Sequence, residues 1–436
     1  MTKTPRIAVA GLTHLGVCMA IAIHEAGFPV LCWDDDASRV ADAQGARFDP
    51  AEPGVVDFLS TAPETFVITA DPADLRSADV VLIAIDTVLR EDGSNDDSVV
   101  VRLLTSAAAH VADDIPIVVA SQVRPGFTRA HAHLHPTLYY FMETLIFGRG
   151  LERAMHPERL IIGMPDGEQH DPSALPPALR SLLEAWGCPI HCMSYESAEL
   201  TKLSANVVLA ASITAANTLA ELAAALGASW PDIERALRDD ARIGPKAYLA
   251  AGMGIGGANI GRDIEGIKAM ADEHGLDSSL ASTMLAHSDY MRGWIIRQIA
   301  DLRMQRPLNT VNQLTILGLA YKPGTTSTRG SAGYDCARVF ANELRVVVHD
   351  PAVTWDPSAG PAHGAADAVT AMHGADVIVV ATPWPQFVAP VQAVLRTQAD
   401  TIVLDPYRLI PALSSATSPA QPAYLGTLIQ LGVSNA

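Results

Sequence analysis

Between the apolar run Ile7-Ala-Val-Ala10 and an apolar-periodic stretch from Val17 to Ala26 lies Gly11-Leu-Thr13-His14-Leu15-Gly16, and this junction constrains the fold more than any other segment. A strand, a tight glycine turn and a helix in that order open a doubly wound parallel sheet. The next apolar run, Pro29 to Trp33, ends in Asp34-Asp35-Asp36. That is about 20 residues beyond the glycines, where a carboxylate accepts from a ribose hydroxyl of a bound dinucleotide. NAD is expected rather than NADP, because carboxylates repel a 2′-phosphate. Thr13 stands where the second glycine of such a turn normally lets a pyrophosphate reach the backbone, and its hydroxyl is able to donate to a phosphate. The glycine turn alone serves helix packing as readily as binding; the acidic spacing moves the reading to a cofactor.

At 436 residues the chain exceeds one hydrophobic core, so two to three domains of about 150 residues are expected. Hydrophobic residues make up 49% and charged residues 18%. With no apolar run of about 18 residues and no basic-then-apolar leader, a soluble cytoplasmic protein without a membrane partner is expected. The net charge of −18 argues against nucleic acid, since a polyanion rewards a positive face. An anionic ligand needs a local cluster of Arg, Lys and backbone N–H groups. The cysteines Cys18, Cys32, Cys188, Cys192 and Cys336 form no four-ligand pattern, and the histidines show no metal-binding spacing, so no metal is expected.

Two further apolar runs stop in polar residues, one at Asp86-Thr87 and one at Ser121-Gln122, with Pro125-Gly126 beyond the second. At the carboxyl ends of parallel strands such loops line a nicotinamide crevice, although ordinary βα turns look the same. From Ser197 to Leu226 the pattern is a long alanine-rich helix that displays Lys202 and Asn206 on one face. A snorkelling lysine beside a capped amide explains that pair as well as catalysis does. Beyond residue 313 a strand ending in Tyr321-Lys322-Pro323-Gly324, a helix over 331–342, a run ending in Asp350-Pro351, and strands at 376–381 and 401–404 give a second α/β unit. The Ser-, Ala- and Pro-rich tail after Leu413 is expected to be weakly ordered.

These segments fall in the order of a known family. Gly11-x-x-His-Leu-Gly16, Asp86-Thr87 with Glu91-Asp-Gly-Ser, and Ser121-x-Val-x-Pro-Gly126 come first. Glu143-x-Leu with His156-Pro-Glu-Arg159, Lys202-x-x-x-Asn206 and Arg242-Ile-Gly244 follow, then Gly254-x-Gly256-Gly257 with Asp263, and Gly318-Leu-Ala-Tyr-Lys322-Pro-Gly324 with Arg329. In these motifs the chain resembles the UDP-glucose/GDP-mannose dehydrogenases along nearly its whole length. The resemblance implies an α/β fold of two Rossmann-like domains with parallel sheets, joined by a central all-helical dimerisation segment. The expected divisions are an NAD-binding domain at 1–195, the central segment with a catalytic turn at 196–300, and a nucleotide-sugar-binding domain at 301–436. A homodimer and an NAD-dependent oxidation of a nucleotide-sugar alcohol are implied with them.

The resemblance also distributes roles. Cofactor binding falls to Gly11, Thr13, His14, Leu15, Gly16, Asp34, Arg39, Asp86, Thr87, Ser121 and Gln122. Substrate binding falls to Arg242, Tyr248, Gly256, Gly257, Lys322 and Arg329, with Arg242 reaching a neighbouring subunit's substrate and the glycine turn wrapping the ligand or gating it. Glu143 matches the glutamate that acts as a base or through water, Lys202 the lysine that steadies an oxyanion, Asn206 an orienting amide, and Asp263 the aspartate that closes the network. The family's nucleophilic cysteine carries the second oxidation, aldehyde to acid, through a thioester. Asn259 stands at its position, and an amide nitrogen has no usable lone pair. One hydride transfer to an aldehyde or ketone is therefore expected, with slow passage to the acid through the aldehyde hydrate. An NAD-retaining epimerase or eliminase, or a non-catalytic nucleotide-sugar-binding paralogue, are the alternatives. The sugar and the base stay open, since Pro383-Trp384-Pro385 and Asp405-Pro-Tyr407 depart from the family pattern.

Overall fold

The structure, a computed structural model, describes residues 4–48, 52–89, 95–146, 148–165, 170–257, 259–305, 312–411 and 425–433. It divides into two compact units, Met1–Ala205 and Asn206–Ala436. The Glu91-Asp-Gly-Ser motif and residues 414–424 of the tail lie outside the described residues.

The first unit carries β1 (Ile7–Ala10), β2 (Val30–Trp33), β3 (Phe66–Thr69), β4 (Val80–Ile83), the antiparallel pair β5 (Val88–Leu89) and β6 (Asn95–Asp96), β7 (Ile117–Val119), β8 (Leu138–Phe141), β9 (Leu160–Met164) and β10 (Ile190–Ser194). Eight of them form one sheet in the order β10-β9-β8-β7-β4-β1-β2-β3. β8 and β9 run antiparallel; the other neighbours are parallel. Every residue of β1, β2, β4 and β7 is buried, as expected of parallel strands covered on both faces. Covering them are α1 (His14–Glu25), α2 (Ala37–Gln44), α3 (Val55–Ser60), α4 (Ser98–Ala108), α5 (Phe127–His131), α6 (Gly150–Met155) and α7 (Pro177–Glu184).

A single helix, α8 (Tyr195–Ala225), leaves the first unit and continues into the second. Next come α9 (Trp230–Asp239), α10 (Asn259–Glu273), α11 (Ser279–Arg292) and α12 (Trp294–Gln305). The second sheet holds β11 (Gln313–Leu317), β12 (Arg345–His349), β13 (His363–Gly364), β14 (Val377–Val380), β15 (Ile402–Asp405) and β16 (Thr427–Gln430). All neighbours are parallel, in the order β13-β12-β11-β14-β15-β16, with α13 (Ala332–Phe340), α14 (Ala368–Met372) and α15 (Val388–Thr397) between them. The described end of the tail is more ordered than its composition suggests. β16 extends the sheet beside β15, and the Trp230 N–H on α9 donates to the Gly432 carbonyl at 2.8 Å.

Both sheets build the same turn, with Gly11 and Gly16 of the first matched by Gly318 and Gly333 of the second. Gly11 and Gly318 have φ of +113° and +110°. A Cβ on Gly16 would lie 1.9 Å from the Gly11 carbonyl oxygen, and one on Gly333 2.2 Å from that of Gly318. The amide after the first glycine donates to a carboxylate at the end of the neighbouring strand, Leu12 to Asp34 and Leu319 to Asp350, each at 2.7 Å. In the loop after β11, 14 residues from Gly318 to Ser331 separate strand and helix, and it is there that Tyr321, Lys322 and Arg329 stand.

Candidate functional site

At the first turn, glycine is required by space. A Cβ on Gly11 would meet the Ala84 carbonyl oxygen at 2.6 Å, so β1, α1 and the end of β4 close on one another only because both 11 and 16 lack side chains. The result is a helix N-terminus aimed past the carboxyl ends of β1 and β4, where strand order reverses and where α/β sheets bind nucleotides. Thr13 caps nothing on α1. Its Oγ1 accepts the Asp86 N–H at 2.9 Å, while the Asp86 carboxylate accepts the Leu15 N–H at 3.0 Å.

Five other cofactor candidates, Asp34, Arg39, His14, Ser121 and Thr87, make hydrogen bonds or ion pairs within the protein. Asp34 is fully buried; its Oδ2 takes Leu12 N–H and Arg39 Nε, and its Oδ1 takes Arg39 Nη2 and Asp36 N–H, all at 2.7–2.8 Å. A carboxylate has about four lone-pair sites, and at Asp34 four donors take them. His14 is turned into the interior, with its Nε2 2.8 Å from Glu52. Ser121 is fully buried; its Oγ accepts the Ile85 N–H at 2.9 Å and donates to the Ile83 carbonyl. Thr87 ties to the Gln122 carbonyl at 3.4 Å, which joins the two loops at the ends of β4 and β7.

The candidate catalytic residues form a pair in each unit. In the first, Lys202 on α8 makes an ion pair with Glu143, which follows β8, and also donates to the Glu143 carbonyl at 3.1 Å. The other Glu143 oxygen accepts the Leu145 N–H at 2.7 Å, and both side chains are largely buried. In the second, Asn206 Nδ2 donates to Asp263 Oδ2 at 2.5 Å, and Arg262 Nε reaches Asp263 Oδ1 at 3.1 Å. Asp263 is buried on α10, one turn after Asn259, which opens that helix and is exposed.

Space around the glycine turn before α10 is taken by the protein itself. A Cβ on Gly256 would come 2.9 Å from the Tyr321 ring, and one on Gly257 2.8 Å from it; one on Gly254 would meet the Ser288 carbonyl oxygen at 2.6 Å. The Gly257 N–H donates to the Arg329 carbonyl at 3.1 Å. These glycines therefore seat an aromatic ring and a neighbouring chain segment. Lys322 beside that ring is half-buried, and desolvation lowers its pKa. Arg242 is solvent-exposed and paired with Asp240 two residues away, and Tyr248 is exposed as well.

Sequence reasoning missed three residues. Glu52 accepts N–H groups from Gly148, Gly150 and Leu151 in addition to facing His14. Glu199 accepts from Gly126 and Thr128 at the start of α5, and burial pushes its pKa up. Asn217 is fully buried on α8, its Oδ1 holding the Gly252 N–H at 2.8 Å while its Nδ2 has no partner among the described residues. A buried polar residue inside the apolar helical pattern was the available signal only for Asn217.

Three family profiles match the chain in order: the NAD binding domain of the UDP-glucose/GDP-mannose dehydrogenase family over residues 5–174, its central domain over 196–289 and its UDP binding domain over 315–411. The chain belongs to the UDP-glucose/GDP-mannose dehydrogenase family. Among relatives of this dehydrogenase, a UDP-glucose 6-dehydrogenase of Pseudomonas aeruginosa is 28% identical, covering 98% of this chain and 96% of that protein. A UDP-glucose 6-dehydrogenase of Haloferax volcanii is 28% identical over 93% and 97%. The solved UDP-glucose dehydrogenase of Pyrobaculum islandicum superposes with a TM-score of 0.76 at 26% identity, covering 93% and 94%. As in the family, the first sheet is the NAD binding domain. The Gly11–Gly16 turn fits that cofactor, since its two glycines let β1, β4 and α1 close up and so bring the α1 N-terminus, whose backbone N–H groups can hold a pyrophosphate, to the strand ends.

Proposed function

We propose that this dehydrogenase oxidises a nucleotide-sugar alcohol by a single hydride transfer and releases an aldehyde or ketone. The names of its relatives supply the substrate class. The UDP binding domain matched at 315–411 contains Lys322, a half-buried cation with no carboxylate partner among the described residues, and such a group favours a diphosphate. Bound NAD supplies the hydride acceptor. Held at the Gly11–Gly16 turn, it would accept the carbinol C–H as hydride, so that this chain's own residues have to take the O–H proton as the C=O bond forms.

Glu143 takes the proton, directly or through water, once its contact with Lys202 loosens; Lys202 then faces the substrate oxygen as charge builds on it. Asn206, oriented by its bond to Asp263, hydrogen-bonds the substrate, and Asn259 does the same one turn along from Asp263. Arg242, exposed on its own protomer, serves the substrate of a partner subunit in a homodimer.

The observation that carries the one-step reading is the state of the thiols. By the family resemblance Asn259 takes the nucleophile's place, and each of the five cysteines is pushed toward the neutral thiol by burial: Cys18 up to about 12, Cys192 up to about 11, and Cys32, Cys188 and Cys336 in the same direction. Catalytic thiols are shifted the other way. NADH counting on UDP-glucose and related nucleotide-sugars, with product mass spectrometry, tests this. The expected result is one NADH per sugar at early times and no hydroxylamine-trappable thioester, with Asn259→Cys gaining both the second NADH and the thioester. Two NADH per sugar with a trapped thioester in the wild type would sink the proposal.

A further inference from the structure

The pyrophosphate seat at the start of α1 is held by the protein's own carboxylate. We propose that Asp86 is a latch on this seat, which the cofactor's phosphates must displace, and that Thr13 is its catch. The inference rests on the NAD reading of the first domain and goes beyond it. Three observations carry it. Asp86 Oδ2 sits 3.0 Å from the Leu15 amide nitrogen, the second residue of α1, so a negative group already occupies the first-turn N–H that an incoming phosphate would use. The Asp86 amide is pinned at 2.9 Å to Thr13 Oγ1, and Thr13 makes no cap of its own, so the hydroxyl is committed to holding the Asp86 loop over the turn. Asp86 itself is exposed at the carboxyl end of β4 and makes no ion pair among the described residues, so nothing there neutralises its charge.

A carboxylate at a helix N-terminus is favourable by itself, which is why the latch closes in the free protein. A pyrophosphate placed on the same turn meets a like charge at close range and has to push it aside. The Thr13-for-glycine departure and the acidic residue at 86 thus belong together: a glycine at 13 has no hydroxyl with which to hold the loop. Phosphate-bearing ligands bear the cost of opening, and a ligand without phosphates does not. The latch weakens binding of every pyrophosphate-containing cofactor alike, so it sets affinity without choosing between NAD and NADP.

Calorimetric titration of the full chain with NAD, ADP and adenosine tests this without any turnover. Asp86→Asn keeps the loop's shape and an acceptor for the Leu15 N–H but removes the charge. It is expected to bind NAD and ADP roughly 2- to 5-fold more tightly than wild type, the range of one exposed charge at a helix terminus, with adenosine unchanged. Thr13→Val, which frees the catch and keeps the carboxylate, is expected to give a smaller gain in the same order of ligands, and Asp86→Glu to stay near wild type. Wild-type NAD binding with no gain in Asp86→Asn, or an equal gain for adenosine, overturns the latch. Absence of NAD and ADP binding in wild type and all three variants overturns the cofactor reading itself, a different result from the first.

Discussion

Asp405, the last residue of β15, is fully buried with an unusual account of hydrogen bonds. Its Oδ2 takes the Ile410 N–H at 2.7 Å and the Gln430 side-chain amide at 2.9 Å, while Oδ1 has no partner among the described residues. Burial raises its pKa. A carboxyl with a raised folded pKa binds more protons folded than unfolded, so its contribution to stability is present in acid and is lost as pH rises from the unfolded value of about 3.9 through the folded one. Asp405→Asn removes that titration. Thermal unfolding followed upward from about pH 4 should show the variant gaining on wild type as pH rises through the folded pKa. A difference in Tm that is flat with pH would contradict the assignment. Residues of this kind escape sequence reading for a physical reason. Glu52 meets Gly148 and Gly150 from 96 and 98 residues away, and Glu199 meets Gly126 from 73. No local spacing encodes such a partner; only the folded sheet brings them together.

At the scale of elements, the glycine turn before α10 is held by an aromatic ring. Gly256→Ala puts a Cβ 2.9 Å from Tyr321 Cδ2, and overpacking of this kind costs about 1–3 kcal/mol. Gly256 lacks a positive φ, so the cost belongs to the ring and not to the backbone. A double-mutant cycle with Tyr321→Ala should therefore recover most of the penalty, measured as unfolding free energy. Equal cost in both backgrounds would place the strain elsewhere. The alternation of apolar runs and turns made the two parallel sheets readable, because parallel strands buried on both faces are apolar throughout, as Val80–Ile83 and Val377–Val380 are. The same reasoning placed α8 to within two residues and put Lys202 and Asn206 on one face of it, while Asp263 came from the family resemblance; the structure pairs Lys202 with Glu143 and Asn206 with Asp263. It misjudged β16, since four residues of strand after a Ser- and Pro-rich stretch carry little periodicity and form only because β15 offers an edge.

For the whole molecule, α8 poses the last question. By length and composition its 31 residues would also cross a bilayer, with only 28% of its most apolar window buried within the chain. The exposed part is organised: Val208, Leu219 and Leu222 are 65%, 44% and 50% exposed, and Leu226, one residue past the helix end, 73%. At about 100° per residue these four fall within a narrow stripe on one side of the helix. An apolar stripe on a helix that also carries Asn206 and the fully buried Asn217 is suited to a second protein surface rather than to lipid, where polar groups are costly. For the homodimer proposed above this stripe is the expected interface, and two copies each of net charge −18 repel at long range. The association should accordingly strengthen as added salt screens that repulsion, with a Debye length falling from about 10 Å at 0.1 M to about 3 Å at 1 M. Sedimentation equilibrium should give a dimer, and Leu222→Glu, which places a charge in the middle of the stripe, a monomer that keeps its far-UV circular dichroism. A wild-type monomer at micromolar concentration, or a Leu222→Glu dimer of unchanged affinity, would remove α8 from the interface.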